Sequence, residues 1–213
     1  MKVYEAAAVG RRNIGITPSH ITGLIAVTIS TYFLIMHRDD LAIVAASIYF
    51  VLACGTDTFK SKIPNILNLS LLIAGFSIHI MAMGLQGFLA SLAGLGLGIG
   101  LLLLPYLLGG MGAGDVKALG ALGALIGPIS ILHVFAYMGL FGGAFALFHY
   151  LSQAGLRNSL REGWQSVCAA ALTRKADYIL PKTWGSQRES LRFPYSAAIA
   201  LGYYSFVYWG GIL

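Results

Sequence analysis

Two aspartates stand where an acid is costly. The chain has 213 residues and only eight Asp and Glu. Glu5, Asp39, Asp40, Glu162, Asp177 and Glu189 fall in polar loops or tails and need no special account. Asp57 instead lies near the end of an apolar stretch, in Ala53-Cys54-Gly55-Thr56-Asp57-Thr58-Phe59-Lys60. Asp115 opens another, in Gly112-Ala113-Gly114-Asp115-Val116-Lys117. An ionisable group at membrane depth costs about 2.5–3.5 kcal/mol on insertion scales, so each is by default a functional candidate. Two neighbouring carboxyls share a proton, because both cannot easily ionise. One can then activate water while the other, protonated, donates to a carbonyl oxygen. That is hydrolysis without a metal or a nucleophilic side chain. A plainer account stands beside it: Asp115 could cap its helix, and Asp57 could pair with Lys60 across one turn.

The neighbouring residues allow two readings each. Lys117 follows Asp115 by two positions and so points off its helical face. It could neutralise a substrate carboxylate or a headgroup, or simply snorkel. Asn65, behind Pro64, could hydrogen-bond across a site or cap the helix it begins. Gly112 and Gly114 permit close backbone approach and conformations denied to residues with a Cβ, leaving room for an extended peptide. Cys54, three residues before Asp57, faces the same side and reads as a small packing residue. His79, His133 and His149 sit in apolar stretches at no metal-binding spacing; hydrogen bonds between helices are expected of them. No metal and no cofactor is expected.

What must position these residues is a membrane bundle. Hydrophobic residues make up 57% of the chain and charged ones 10%, with a mean hydropathy of +0.76. Soluble domains carry about 25% charged residues. Disordered, collagen-like and disulfide-framework chains are excluded, since apolar residues dominate and the only cysteines are Cys54 and Cys168. The net charge of +6 does not argue for nucleic acid, because the basic residues lie between apolar runs, where they set orientation and meet lipid headgroups. Lys2, Arg11 and Arg12 precede an apolar stretch running on to Met36, which suits an uncleaved anchor.

The chain is thus expected to be all-α, a polytopic bundle of about seven transmembrane helices with a cytoplasmic N-terminus. A bilayer core needs roughly 20 helical residues. Spans are expected at Pro18–Met36, Leu41–Lys60, Ile66–Met83, Phe88–Leu108 and Tyr195–Leu213. Between Lys117 and Arg157, 39 residues without a charge allow two more crossings, the first from about Asp115 to Ile126. The natural break is Gly127-Pro128, with Gly142-Gly143 as the other possibility. Thr17 and Asp40 can cap the helices that follow them. Gly94/Gly98, Gly96/Gly100, Gly120/Ala124 and Gly123/Gly127 are spaced for close helix packing.

Alternating loops then place thirteen of the fourteen Lys and Arg on one side and only Arg38 on the other, which makes that basic side cytoplasmic. Both Asp57 and Asp115 fall at this inner face. Four parts are expected: residues 1–36, an extension with one extra span; 37–151, a core with both acidic motifs; 152–193, a basic cytoplasmic loop; and 194–213, a last span. Arg157, Arg161 and Trp164 could form an amphipathic helix in the loop.

Together the two motifs resemble the type IV prepilin peptidase family, which includes the preflagellin peptidases. That family pattern is an Asp followed shortly by Ile-Pro-Asn, then Gly-x-Gly-Asp with a Lys two residues on. Asp57 with Ile63, Pro64 and Asn65 fits the first element, and Gly112, Gly114, Asp115 and Lys117 fit the second. The resemblance covers roughly residues 41–151, with Pro194-Tyr195 and the last helix also similar. It implies a membrane aspartic endopeptidase of the GxGD type, with Asp57 and Asp115 as the catalytic pair and Gly112, Gly114, Lys117, Pro64 and Asn65 in support. The implied partners are prepilin-like or preflagellin-like precursors, cleaved at their leader on the cytoplasmic side of the cell membrane, as in type IV pilus assembly. Larger members also carry paired Cys-x-x-Cys motifs and methylate the new N-terminus; this chain has no such motif, and it looks more like the compact peptidases of Tad/Cpa pilus systems or the archaeal preflagellin enzymes. The rival readings are a transporter or channel with intramembrane carboxylates, a presenilin-like protease, or a noncatalytic assembly subunit. A transporter predicts acids spread over membrane depth and two similar halves, and the sequence has neither.

Overall fold

The structure is a computed structural model that describes residues 18–60, 63–108, 111–152 and 195–212. These form seven α-helices and no strand: α1 (Pro18–Met36), α2 (Leu41–Lys60), α3 (Asn65–Met83), α4 (Leu85–Leu107), α5 (Ala113–Ile126), α6 (Pro128–Ser152) and α7 (Tyr195–Trp209). Four carry stretches long and apolar enough to cross a bilayer: Leu41–Thr58, Asn65–Met83, Leu85–Leu107 and Pro128–Phe145. A shorter apolar stretch covers Ile21–Met36. The chain is a multi-pass, all-helical membrane protein. The loop expected at 152–193 lies, apart from Ser152, outside the described residues, as do the N-terminal tail, Thr17 and Cys168.

Local chemistry explains where the helices begin and end. Asp40 caps α2, its Oδ1 accepting the amides of Ala42 at 2.8 Å and Ile43 at 3.2 Å. Gly127, at φ 86°, ends α5, and Pro128 opens α6. The left-handed backbone there favours glycine, and proline suits a first helical position. α6 continues through Gly142-Gly143, so the break is at Gly127-Pro128. Several expected boundaries shift by a few residues, α4 ending at Leu107 rather than Leu108 and α5 beginning at Ala113 rather than Asp115 among them. α3 begins at Asn65 rather than Ile66, and α4 at Leu85 rather than Phe88, because Gly84 alone (φ 58°) joins the two helices. α7 stops at Trp209, where Gly210 turns to φ 81°.

α5 has only 14 residues, about 21 Å of helix against a hydrocarbon core of about 30 Å. It survives because it is interior. Val116 and every residue from Ala118 to Leu125 are buried, with α3 and α4 as its principal neighbours. Its Gly- and Ala-rich sequence makes this possible. A Cβ at Gly75 of α3 would come within 2.7 Å of the Leu125 amide, and one at Gly94 of α4 would collide with the Gly123 carbonyl. In lipid, such close backbone contact supplies van der Waals attraction that apolar burial does not. Gly96 and Gly100 meet nothing, so of the overlapping pairs in α4 only Gly94/Gly98 forms an interface.

α7 is the second interior helix, buried continuously from Ser196 to Ser205. It runs antiparallel to α2: Ser196 meets Asp57, and Tyr204 Oη donates to Ser47 Oγ at 3.1 Å. Tyr204 also packs on Phe33 of α1, ring centroids 4.6 Å apart. Among the described residues no buried side-chain nitrogen or oxygen lacks a hydrogen-bond partner, as a low-dielectric interior demands.

Candidate active site

The site lies at the end of the bundle where α2 finishes and α3, α5 and α7 begin. Asp57 is in the last turn of α2, and Asp115 is the third residue of α5. Both are partly buried. Their carboxyl groups lie within electrostatic reach of each other. A shared depth on separate helices is what paired carboxyl chemistry needs.

Each acid has a defined partner. Ser196 Oγ donates to Asp57 Oδ2 at 2.5 Å, the short distance typical of a hydroxyl on a carboxylate. Cys54, fully buried, lies against the same hydroxyl. The Asp115 side chain reaches back to accept the Gly112 amide through Oδ2 at 3.3 Å. Asp115 therefore helps cap its own helix, though from the third position rather than as the capping residue. The Lys60 side chain, expected as a possible partner of Asp57, lies outside the described residues.

The two sequence motifs touch at two points, and Asn68 adds a third link to Gly114. Asn68 Nδ2 donates to the Gly114 carbonyl at 3.3 Å, while its Oδ1 accepts Tyr49 Oη at 2.6 Å. Lys117 Nζ donates to Asn65 Oδ1 at 3.2 Å. Ile63 packs on Gly114, where an added Cβ would make an ordinary 3.7 Å contact. Asn65 thus bridges α3 and α5, with Pro64 holding the capping position of α3 in extended backbone at φ −60°, ψ 133°. Lys117 stays exposed while making that bridge.

Gly112 and Gly114 do not use the conformational freedom expected of the Gly-Ala-Gly run. Gly112 sits at φ −83°, ψ 148°, which any residue adopts, and Gly114 is helical. What Gly112 provides is space: a Cβ there would lie 3.2 Å from Asp115 Oδ2. The histidine expectation also fails at His79, whose Nδ1 contacts the Gly75 carbonyl of its own helix at 3.2 Å. An apolar helix surface offers an imidazole its own backbone first. His133 is buried and stacks on Phe206 of α7; the His149 side chain lies outside the described residues. Among the described residues, no three His, Cys, Asp or Glu side chains gather where they could share a metal ion.

Three site residues escape a reading by motif: Tyr49, Asn68 and Ser196. Asn68 carried a signal, being one turn after Asn65 in an apolar run. Tyr49 lies two turns before Asp57, on nearly the same stripe. Ser196 carried none, since a serine near a helix start is commonplace.

No curated protein and no solved structure matches the chain at a significant level. A sequence family does. Residues 41–147, which hold α2 to most of α6 and both acidic motifs, match the profile of the Type IV leader peptidase family. The match spans 107 of 213 residues, just over half, and the chain belongs to that family of peptidases.

Proposed function

We propose that this protein is an aspartic endopeptidase that removes the leader of prepilin-like or preflagellin-like precursors at the cytoplasmic membrane face, with Asp57 and Asp115 as its catalytic pair. The observation that carries this reading is the placement of two acids, near the end of α2 and the start of α5, at one end of the bundle and near enough to interact electrostatically. The ionised member takes a proton from water, which attacks the scissile carbonyl carbon. The protonated member donates to the carbonyl oxygen. Collapse of the tetrahedral species returns that proton to the carboxyl pair, breaks the C–N bond and passes a proton to the leaving amine.

Family membership supports the substrate class, and geometry supports the roles proposed for the neighbouring residues. Asn65 and Lys117 tie the start of α3 to α5, and Gly112 leaves space beside Asp115. Seven crossings with the N-terminus inside put this end on the basic, cytoplasmic side.

The test is cleavage of a prepilin-like peptide by purified protein in lipid, wild type beside Asp57→Ala and Asp115→Ala. Loss in both variants supports the pair; undiminished cleavage in either rejects it.

A further inference from the structure

We infer that Ser196 is a positioning residue for Asp57, so that α7, outside residues 41–147 that match the family profile, completes the site. The inference rests on the catalytic pairing proposed above. Ser196 stands 139 residues from Asp57 in sequence and outside residues 41–147. It is only 2% exposed, and its hydroxyl donates to Asp57 Oδ2 at 2.5 Å.

The physical need is plain. The last torsion of an aspartate is broad and nearly two-fold, so a carboxyl at a helix end swings unless something anchors it. Asp115 is anchored locally, by the amide of Gly112 in its own first turn. Asp57 sits at the far end of α2, where the free backbone groups are carbonyls and cannot donate. Its anchor must come from another element, and α7 supplies it. The hydroxyl holds one oxygen of Asp57 and so fixes the plane in which the other is presented.

A second bond between the same helices provides the control. Tyr204 Oη donates to Ser47 Oγ at 3.1 Å, eight residues along α7 and ten along α2 from the Ser196–Asp57 contact. If α7 merely braces α2, losing either bond is equivalent. If Ser196 orients the carboxyl, only its loss touches the chemistry. Ser196→Ala removes one oxygen and installs the best helix former, so folding is preserved.

The experiment compares the wild type with Ser196→Ala, Ser196→Thr and Ser47→Ala on the same prepilin-like peptide, with Asp57→Asn alongside. Ser196→Ala is expected to lower kcat about tenfold or more with KM little changed, as a small misplacement of a reacting group does. Ser196→Thr keeps the hydroxyl and most of the rate; Ser47→Ala stays within about twofold. The Asp57 carboxyl infrared band, taken as wild type minus Asp57→Asn, moves in Ser196→Ala and not in Ser47→Ala. An unmoved band, a Ser196→Ala rate within twofold of wild type, or an equal loss in Ser47→Ala overturns the positioning role alone. Cleavage that persists in Asp57→Asn overturns the catalytic pair and this inference with it.

Discussion

The side chain of Asn68 joins Tyr49 to Gly114: it accepts from the tyrosine hydroxyl at 2.6 Å and donates to the glycine carbonyl at 3.3 Å. Through this one buried amide, α2 and α3 are tied to the residue that precedes Asp115. A polar bridge of this kind matters in lipid because no water replaces a lost partner.

Asn68→Leu is therefore expected to destabilise the bundle by about 1–2 kcal/mol, between the small hydrogen-bond energies measured inside membranes and the larger cost of stranding buried polar groups. Adding Tyr49→Phe should cost little more, since the phenol has already lost its acceptor. Denaturant titration in detergent measures both. Fully additive losses would show that the two bonds are independent.

The glycines of α4 separate cleanly. Gly94→Ala places a methyl on the Gly123 backbone and should cost about 1–3 kcal/mol or more, as overpacking does. Gly96→Ala faces open space two residues away and should raise stability by about 0.5–1 kcal/mol. Melting curves of the two variants in one detergent give the sign of each. Equal effects would refute the packing of α4 on α5.

Gly112→Ala tests space against conformation. Its backbone accepts alanine, so the melting temperature should hold, while the new Cβ presses on the Asp115 carboxylate from 3.2 Å. Loss of kcat by about tenfold in a normally folded variant is expected. A large fall in melting temperature with activity per folded molecule retained would show a purely structural glycine.

Orientation is open to direct labelling. In a Cys54→Ala, Cys168→Ala background, cysteine at exposed Arg38 should react with a membrane-impermeant thiol reagent added outside intact cells, and cysteine at exposed Lys117 only after lysis. The reverse pattern would put the paired acids on the outer face.

Much of this protein is legible in its sequence, for reasons that are local. Hydropathy is a property of each residue's own transfer free energy, so the apolar runs pointed to each of the seven helices among the described residues. Gly127-Pro128 marked the break between α5 and α6 through backbone sterics alone, and Asp40 announced the start of α2. The two acids were singled out because charge at membrane depth is costly whatever the fold around it. The tertiary structure decided the rest. Whether α5 faces lipid or lies inside depends on how neighbouring helices rotate about their axes, and Gly94 could be told from Gly96 only once that rotation was known. Ser196 reached Asp57 across 139 residues by the antiparallel docking of α7 on α2, a matter of packing that no local pattern encodes.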